Sequence, residues 1–158
     1  MRSVLGAGFV GASAHEGTLW ILDEAGDCLV PVFNNGPNAG RFVGQVRQPV
    51  NSGLIGMVMA SEQPLVENEV YRNTRQNKTV DSLLGVVTSA QIAVPFHCLN
   101  LCRGVITCVK LRPAGDTGAP DPPGFGPEHL AEVQRAAALL TRLVEYRVLS
   151  NTVGLASE

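Results

Sequence analysis

Apolar positions along this chain come as short runs first and as one long helical stripe at the end. Residues 18–23 (TLWILD) and 28–33 (CLVPVF) have the β-branched and aromatic content of buried strands. Glu24-Ala25-Gly26-Asp27 breaks them as a hairpin turn would, and Asn34-Asn35-Gly36 ends the second. Residues 42–50 alternate loosely and predict a third strand. Asn51 and Ser52 carry side-chain oxygens that can accept the orphan N–H groups of a helix start, so a short helix is expected over 54–60. A short strand follows at 64–66. Residues 67–88 are polar and predict a mobile segment with at most a turn or two of helix. The runs 90–98 and 104–110 predict a final hairpin. Residues 112–126 hold four prolines and four glycines and read as a loop. Pro127 suits a first helical turn, where its missing N–H costs nothing. Leu130, Val133, Ala137, Leu140, Val144 and Val148 then recur at three- and four-residue steps, one apolar stripe.

This order predicts an α+β fold, an antiparallel β-sheet with helices packed on it. Residues 1–16 read as an N-terminal segment with a short, frayed or truncated helix, 17–150 as one domain, and 151–158 as a patternless tail.

The 158 residues fit a single core. With 45% hydrophobic and 16% charged residues, the chain has the composition of a folded protein rather than a disordered one. Its net charge is −2 and no basic block interrupts it, which argues against a dedicated nucleic-acid binder. No apolar run approaches the ~18 residues of a membrane span. Arg2, an apolar stretch and Ala12-Ser13-Ala14 mimic a signal peptide, but Gly6, Gly8 and Gly11 interrupt its core. A cytoplasmic location is expected, with Cys28, Cys98, Cys102 and Cys108 as reduced thiols.

Gly6-x-Gly8-x-x-Gly11 matches the dinucleotide-binding glycine pattern. That mechanism needs a full helix before the next strand. Only residues 12–17 separate Gly11 from the run at 18–23, and a crossover helix does not fit there. His97, Cys98, Cys102 and Cys108 invite a metal reading. Zinc wants four converging ligands, and neighbours on a strand point to opposite faces, so neither a metal nor any cofactor is expected.

The residues that carry most information are motif-like. Val32-Phe33-Asn34 ends a strand. Ser52-Gly53-Leu54-Ile55-Gly56 starts a helix. Asn77-Lys78-Thr79-Val80-Asp81, Gly85, Thr88 and Pro95 follow in order. Together with the order of elements, they resemble GAF domains, a PAS-related architecture. The likeness is closest to the cyclic-nucleotide-binding GAF subgroup of phosphodiesterases and adenylyl cyclases. That subgroup closes its motif with Phe-x-x-x-Asp-Glu; here Phe125 is followed at the matching places by His129 and Leu130, and Asn34 stands where it has Asp.

The resemblance implies a small-molecule-sensing regulatory domain rather than an enzyme, with a pocket between the sheet and residues 67–88. Its walls would include Thr18, Phe33, Leu54, Ile55, Leu84 and Thr88, with Asn34 and Asn77 as polar guides. The ligand would be a cyclic nucleotide or another small anionic or purine-like molecule. Lys78 and Asp81 read as ligand contacts or as a latch for the loop, Arg72 and Arg75 as solvated charges, and Trp20 as core. Two rival functions remain: a ligand-free dimerisation module, and a thiol-dependent reductase, whose cysteines would belong on the short helix and capping loop, where this chain has none. Leu139, Leu143 and Tyr146 fall off the main stripe of the 127–149 helix, so a homodimer through that helix is expected. A downstream effector domain would read the signal.

Overall fold

The β-branched and aromatic runs pair into a single sheet. The computed structural model describes residues 1–115, 118 and 120–154. Its strands are β1 (Glu16–Leu22), β2 (Cys28–Asn34), β3 (Gln48–Pro49), β4 (Leu65–Glu67), β5 (Val86–Cys98) and β6 (Leu101–Pro113). All pairings are antiparallel, in the order β3-β2-β1-β6-β5-β4. The helices are α1 (Arg2–Gly11), α2 (Ala39–Phe42), α3 (Gly53–Ser61), α4 (Thr79–Leu84) and α5 (Pro127–Thr152). The fold is therefore α+β with the expected sheet. Between β5 and β6, Leu99 and Asn100 both take left-handed φ, +53° and +62°, the geometry of a tight hairpin turn whose twist matches its strands.

Side chains alternate across the sheet and divide its two faces. On one face Ile92, Val94, Phe96, Ile106 and Cys108 meet Leu5 and Phe9 of α1 and Val133, Ala137 and Leu140 of α5. On the other, Trp20, Ala93 and Val105 meet Ile55 and Val58 of α3. Prolines sit where pairing is slack. Pro31 lies beside the β1–β2 register shift, and β4 stops pairing with β5 at Ala93, before Pro95.

The N-terminal helix is not frayed. Leu5, Phe9 and Ala12 are fully buried, and the glycine pattern serves helix contact rather than phosphate binding. A Cβ on Gly8 would stand 2.5 Å from Ala136 Cβ, and one on Gly11 3.3 Å from the Glu132 side chain. The glycines thus let α1 lie close against α5. Beyond α1, the Lys110 ammonium donates to the Ser13 carbonyl and lies 5.2 Å from the Phe125 ring centroid.

Three further expectations are corrected. Residues 42–50 are not a strand: Phe42 and Val46, four apart, both turn inward, and Gly44 breaks extension with φ +73°. Only Gln48 and Pro49 pair, with Leu29 and Cys28. Ser52 does not cap α3 through its side chain; its Oγ instead accepts from Asn77 Nδ2 at 3.0 Å. The last helix runs through Thr152, into the supposed tail, of which residues 155–158 lie outside the described residues. Along that helix Val133, Ala137 and Leu140 are buried, whereas Val148 is exposed.

Close approach at Gly8 predicts that Gly8→Val, which overpacks the α1–α5 contact, lowers stability by about 1–3 kcal/mol. Urea denaturation followed by circular dichroism checks it; an unchanged midpoint would mean that α1 contributes nothing.

Candidate ligand-binding site

Between the second face of the sheet and α3–α4 lies a cavity of about 80 Å³. Its floor is built from β1, β6 and β5. Glu16, Thr18 and Trp20 come from β1, Thr107, Val109 and Leu111 from β6, and Thr88 and Gln91 from β5. Alternate residues of β1 and β6, Leu19, Ile106 and Cys108, pack on the helix-covered face. Asn34, Phe42 and Gln48 close one side, Leu54 and Ile55 of α3 another. Gln76, Asn77, Val80, Asp81 and Leu84 form the cap.

Seven of the eight residues singled out from the sequence line this cavity: Thr18, Asn34, Leu54, Ile55, Asn77, Leu84 and Thr88. Phe33 does not. Thr18 pairs with Asn34 and Leu19 with Phe33, so Phe33 takes the opposite face of the sheet from Asn34. It stacks on Phe9 of α1 at a centroid distance of 6.3 Å, with the Arg2 guanidinium 5.9 Å from its own ring centroid. Trp20, expected as core, lines the cavity and donates its indole N–H to Thr107 Oγ1 at 3.2 Å. Sequence reading missed Glu16, Gln48, Gln76, Gln91 and Thr107. Alternation extended two residues upstream of Thr18 and along β6 would have found Glu16 and Thr107.

The cap is held by polar bonds. Asp81 Oδ2 accepts from the Thr88 backbone N–H at 2.8 Å and from Gln76 Nε2 at 2.9 Å, while Oδ1 accepts the Thr88 hydroxyl at 2.7 Å. Asn77 Oδ1 takes the Thr79 N–H, and the Arg41 guanidinium donates to the Leu83 carbonyl. Gly85 ends α4 at φ +67°. Asp81 is thus a latch, and Lys78, exposed, makes no ion pair among the described residues. The start of the 67–88 segment is tied elsewhere: Asn68 exchanges two hydrogen bonds with the Phe125 backbone, and the Tyr71 hydroxyl bonds Asp121.

The floor carries a second polar group of different character. Asn34 Nδ2 donates to Thr18 Oγ1 at 3.0 Å and to Glu16 Oε2 at 3.2 Å, and its Oδ1 accepts the Gly36 N–H at 2.6 Å. Gln48 Nε2 donates to the Ser52 carbonyl at 2.7 Å. Among the described residues, Glu16 Oε1 and the Gln91 amide receive no hydrogen bond.

Among the described residues, no cysteine lines the cavity. Cys108 lies on the helix-covered face, where burial pushes its thiol up to about 12. Cys102 is raised by desolvation. His97 faces Glu62 at 2.9 Å, and among the described residues no three metal-ligating side chains converge.

No protein-family model matches the chain, and no curated protein matches its sequence. Solved structures share its fold. The GAF domain of a phosphoenolpyruvate-protein phosphotransferase from Coxiella burnetii aligns with TM-score 0.69 at 20% identity, covering 87% of this chain and 76% of that one. The second GAF domain of DevS from Mycobacterium smegmatis aligns with TM-score 0.66 at 17% identity, covering 92% and 93%. A free methionine-R-sulfoxide reductase from Neisseria meningitidis, solved with its substrate, aligns with TM-score 0.64 at 16% identity, covering 92% and 80%. The chain has the GAF fold. No helix among the described residues is long and apolar enough to cross a membrane.

The latch predicts that Asp81→Ala costs about 1–3 kcal/mol, since it strands donors that met a charged acceptor. Hydrogen exchange checks where the loss falls: amides of 76–88 lose protection while those of the β5–β6 hairpin beyond Thr88 keep theirs. Uniform loss over the whole chain would refute a local latch.

Proposed function

We propose that this chain is a small-molecule-sensing regulatory domain, with its ligand in the cavity under α4. One observation carries this: a cavity with apolar walls and a few aimed polar groups sits between a rigid sheet and a cap tied by side-chain hydrogen bonds. Such a cap opens and closes at a lower cost than the sheet itself. Occupancy has a short route outward. Glu16 and Thr18 touch the cavity, while Gly17 between them meets the ring of Phe9, so that a Cβ there would lie 2.4 Å from it. A shift of β1 is therefore felt by α1, and through it by α5.

The non-enzymatic reading is favoured by the lining. Reductase chemistry on a sulfoxide needs a thiolate nucleophile, and the cavity offers no cysteine. A cyclic nucleotide finds little support. The lining holds no Lys or Arg to meet a phosphate. The cavity also falls well below the ~300–1,000 Å³ usual for drug-sized ligands.

Trp20 is the single tryptophan and lines the cavity, so its fluorescence reports occupancy. A metabolite library screened by Trp20 emission and melting temperature tests the proposal. A ligand at ~100 times its dissociation constant adds about 2.7 kcal/mol, a rise of roughly 5–10 °C for a domain of this size. Hits that move the melting point without touching Trp20 emission would place the ligand elsewhere.

Signalling through the terminal helices is proposed to use a homodimer. On α5, Leu139, Leu143, Tyr146 and Leu149 are 52%, 41%, 73% and 57% exposed, more apolar surface than a solitary helix face carries. The same feature favours the second reading, a dimerisation module. Sedimentation is expected to give a dimer that Leu143→Glu converts to monomer. A monomeric wild-type chain at high micromolar concentration would remove the dimer from both readings.

A further inference from the structure

The cavity contains two carboxylates, and they are not equivalent. Asp81 is filled by the three hydrogen bonds of the latch. Glu16 is only 7% exposed and lines the cavity, yet its Oε2 takes a single bond, from a neutral amide at 3.2 Å, and its Oε1 takes none. Its head lies against Gly36: a Cβ there would stand 2.2 Å from Oε2 and push the carboxylate aside. A carboxylate can accept about four hydrogen bonds, so Glu16 keeps open acceptor positions that face the cavity. No Lys, Arg or His lines the cavity to pair with it. Nearby, Gln48 directs one N–H to the Ser52 carbonyl, and its Oε1 accepts no hydrogen bond among the described residues.

We propose that the cavity binds a compact N–H-donating monocation, an ammonium or amidinium group on a ligand of few heavy atoms, with Glu16 as its counter-ion. The proposal rests on the sensor reading and reverses the anionic ligand class expected from the sequence. A phosphate or carboxylate placed there would meet Glu16 without a compensating cation. The small volume adds a size limit, which the amine end of a small metabolite meets and a nucleotide does not.

An isosteric series tests charge at constant shape: acetamidinium, acetamide and acetate, each titrated into the 158-residue chain while the Trp20 indole and Gln48 and Gln91 side-chain amide NMR signals are followed. Acetamidinium is expected to move these signals and to bind about tenfold or more tighter than acetamide, as a charge-assisted bond replaces a neutral one. Glu16→Gln keeps the shape and should erase that preference. Gln91→Glu adds a carboxylate where the amide has no partner and should raise it, which keeps the test decisive if Glu16→Gln does not fold. Acetamide or acetate binding at the same signals as tightly as acetamidinium would overturn the cation proposal and leave the sensor reading in place. If none of the three moves the cavity signals, the cation proposal fails, and the sensor reading is decided by the metabolite screen alone.

Discussion

The alternation of side chains along β1 and β6, the strands at the centre of the sheet, governs the rest of the structure. β6 lies between β1 and β5, and each of the three strands must serve a dry face and a wet one. Ile106 and Cys108 are buried under helices, while Thr107 and Val109 between and beyond them reach the cavity. A one-residue slip would exchange the faces, placing Thr107 and Glu16 under the helices and exposing Ile106 to the cavity. The register is held by the extent of pairing: β5 and β6 pair from Val86↔Pro113 to Cys98↔Leu101, with register shifts only between Thr88 and Ala90 and between Phe96 and His97. Position of the cavity is therefore a property of the sheet, not of the loops around it.

The two layers that cover this sheet are held by different forces. On the helix side, buried leucine, phenylalanine and valine side chains exclude water, and glycine lets α1 settle on α5. On the cavity side, α4 has no fully buried residue and is fixed by Asp81, Asn77 and Arg41. Apolar packing resists local opening in proportion to the area it hides, whereas exposed hydrogen bonds exchange readily with water. The lid over a binding site and the helices that carry its signal thus differ in the free energy needed to move them.

Much of this was legible in the sequence, and the misses have physical causes. The strands around Trp20, Val30, Ile92 and Ile106 declared themselves because β-branched residues cluster there. The stripe from Leu130 to Val144 declared α5. Residues 42–50 misled because Phe42 and Val46 are apolar at a spacing that suits either element, and the left-handed Gly44 has no signature of its own. α1 was undervalued because glycines lower helix propensity; their benefit, close approach to Ala136, depends on a residue far along the chain. Phe33 and Asn34 were assigned to one pocket although neighbours on a strand face apart, a rule that needed no structure. Glu16 was passed over because the strand was begun at Thr18. Its fit beneath Gly36 is a tertiary fact that no local pattern encodes.

Glu16 and Asp81 share one functional group and differ in what surrounds it. Asp81 meets a backbone N–H, a hydroxyl and an amide, all from its own segment and the adjoining strand, so its charge is answered within the fold. A ligand that took its place would have to break the latch and offer equal bonds in return. Glu16 is answered by one amide and sits across the cavity floor on β1, a central strand of the sheet, beside Thr18 and Trp20. Filling its open acceptor positions from outside adds charge-assisted hydrogen bonds. An incompletely paired carboxylate on the floor of a cavity whose described lining holds no cation discriminates against anions by repulsion as much as it selects donors by attraction.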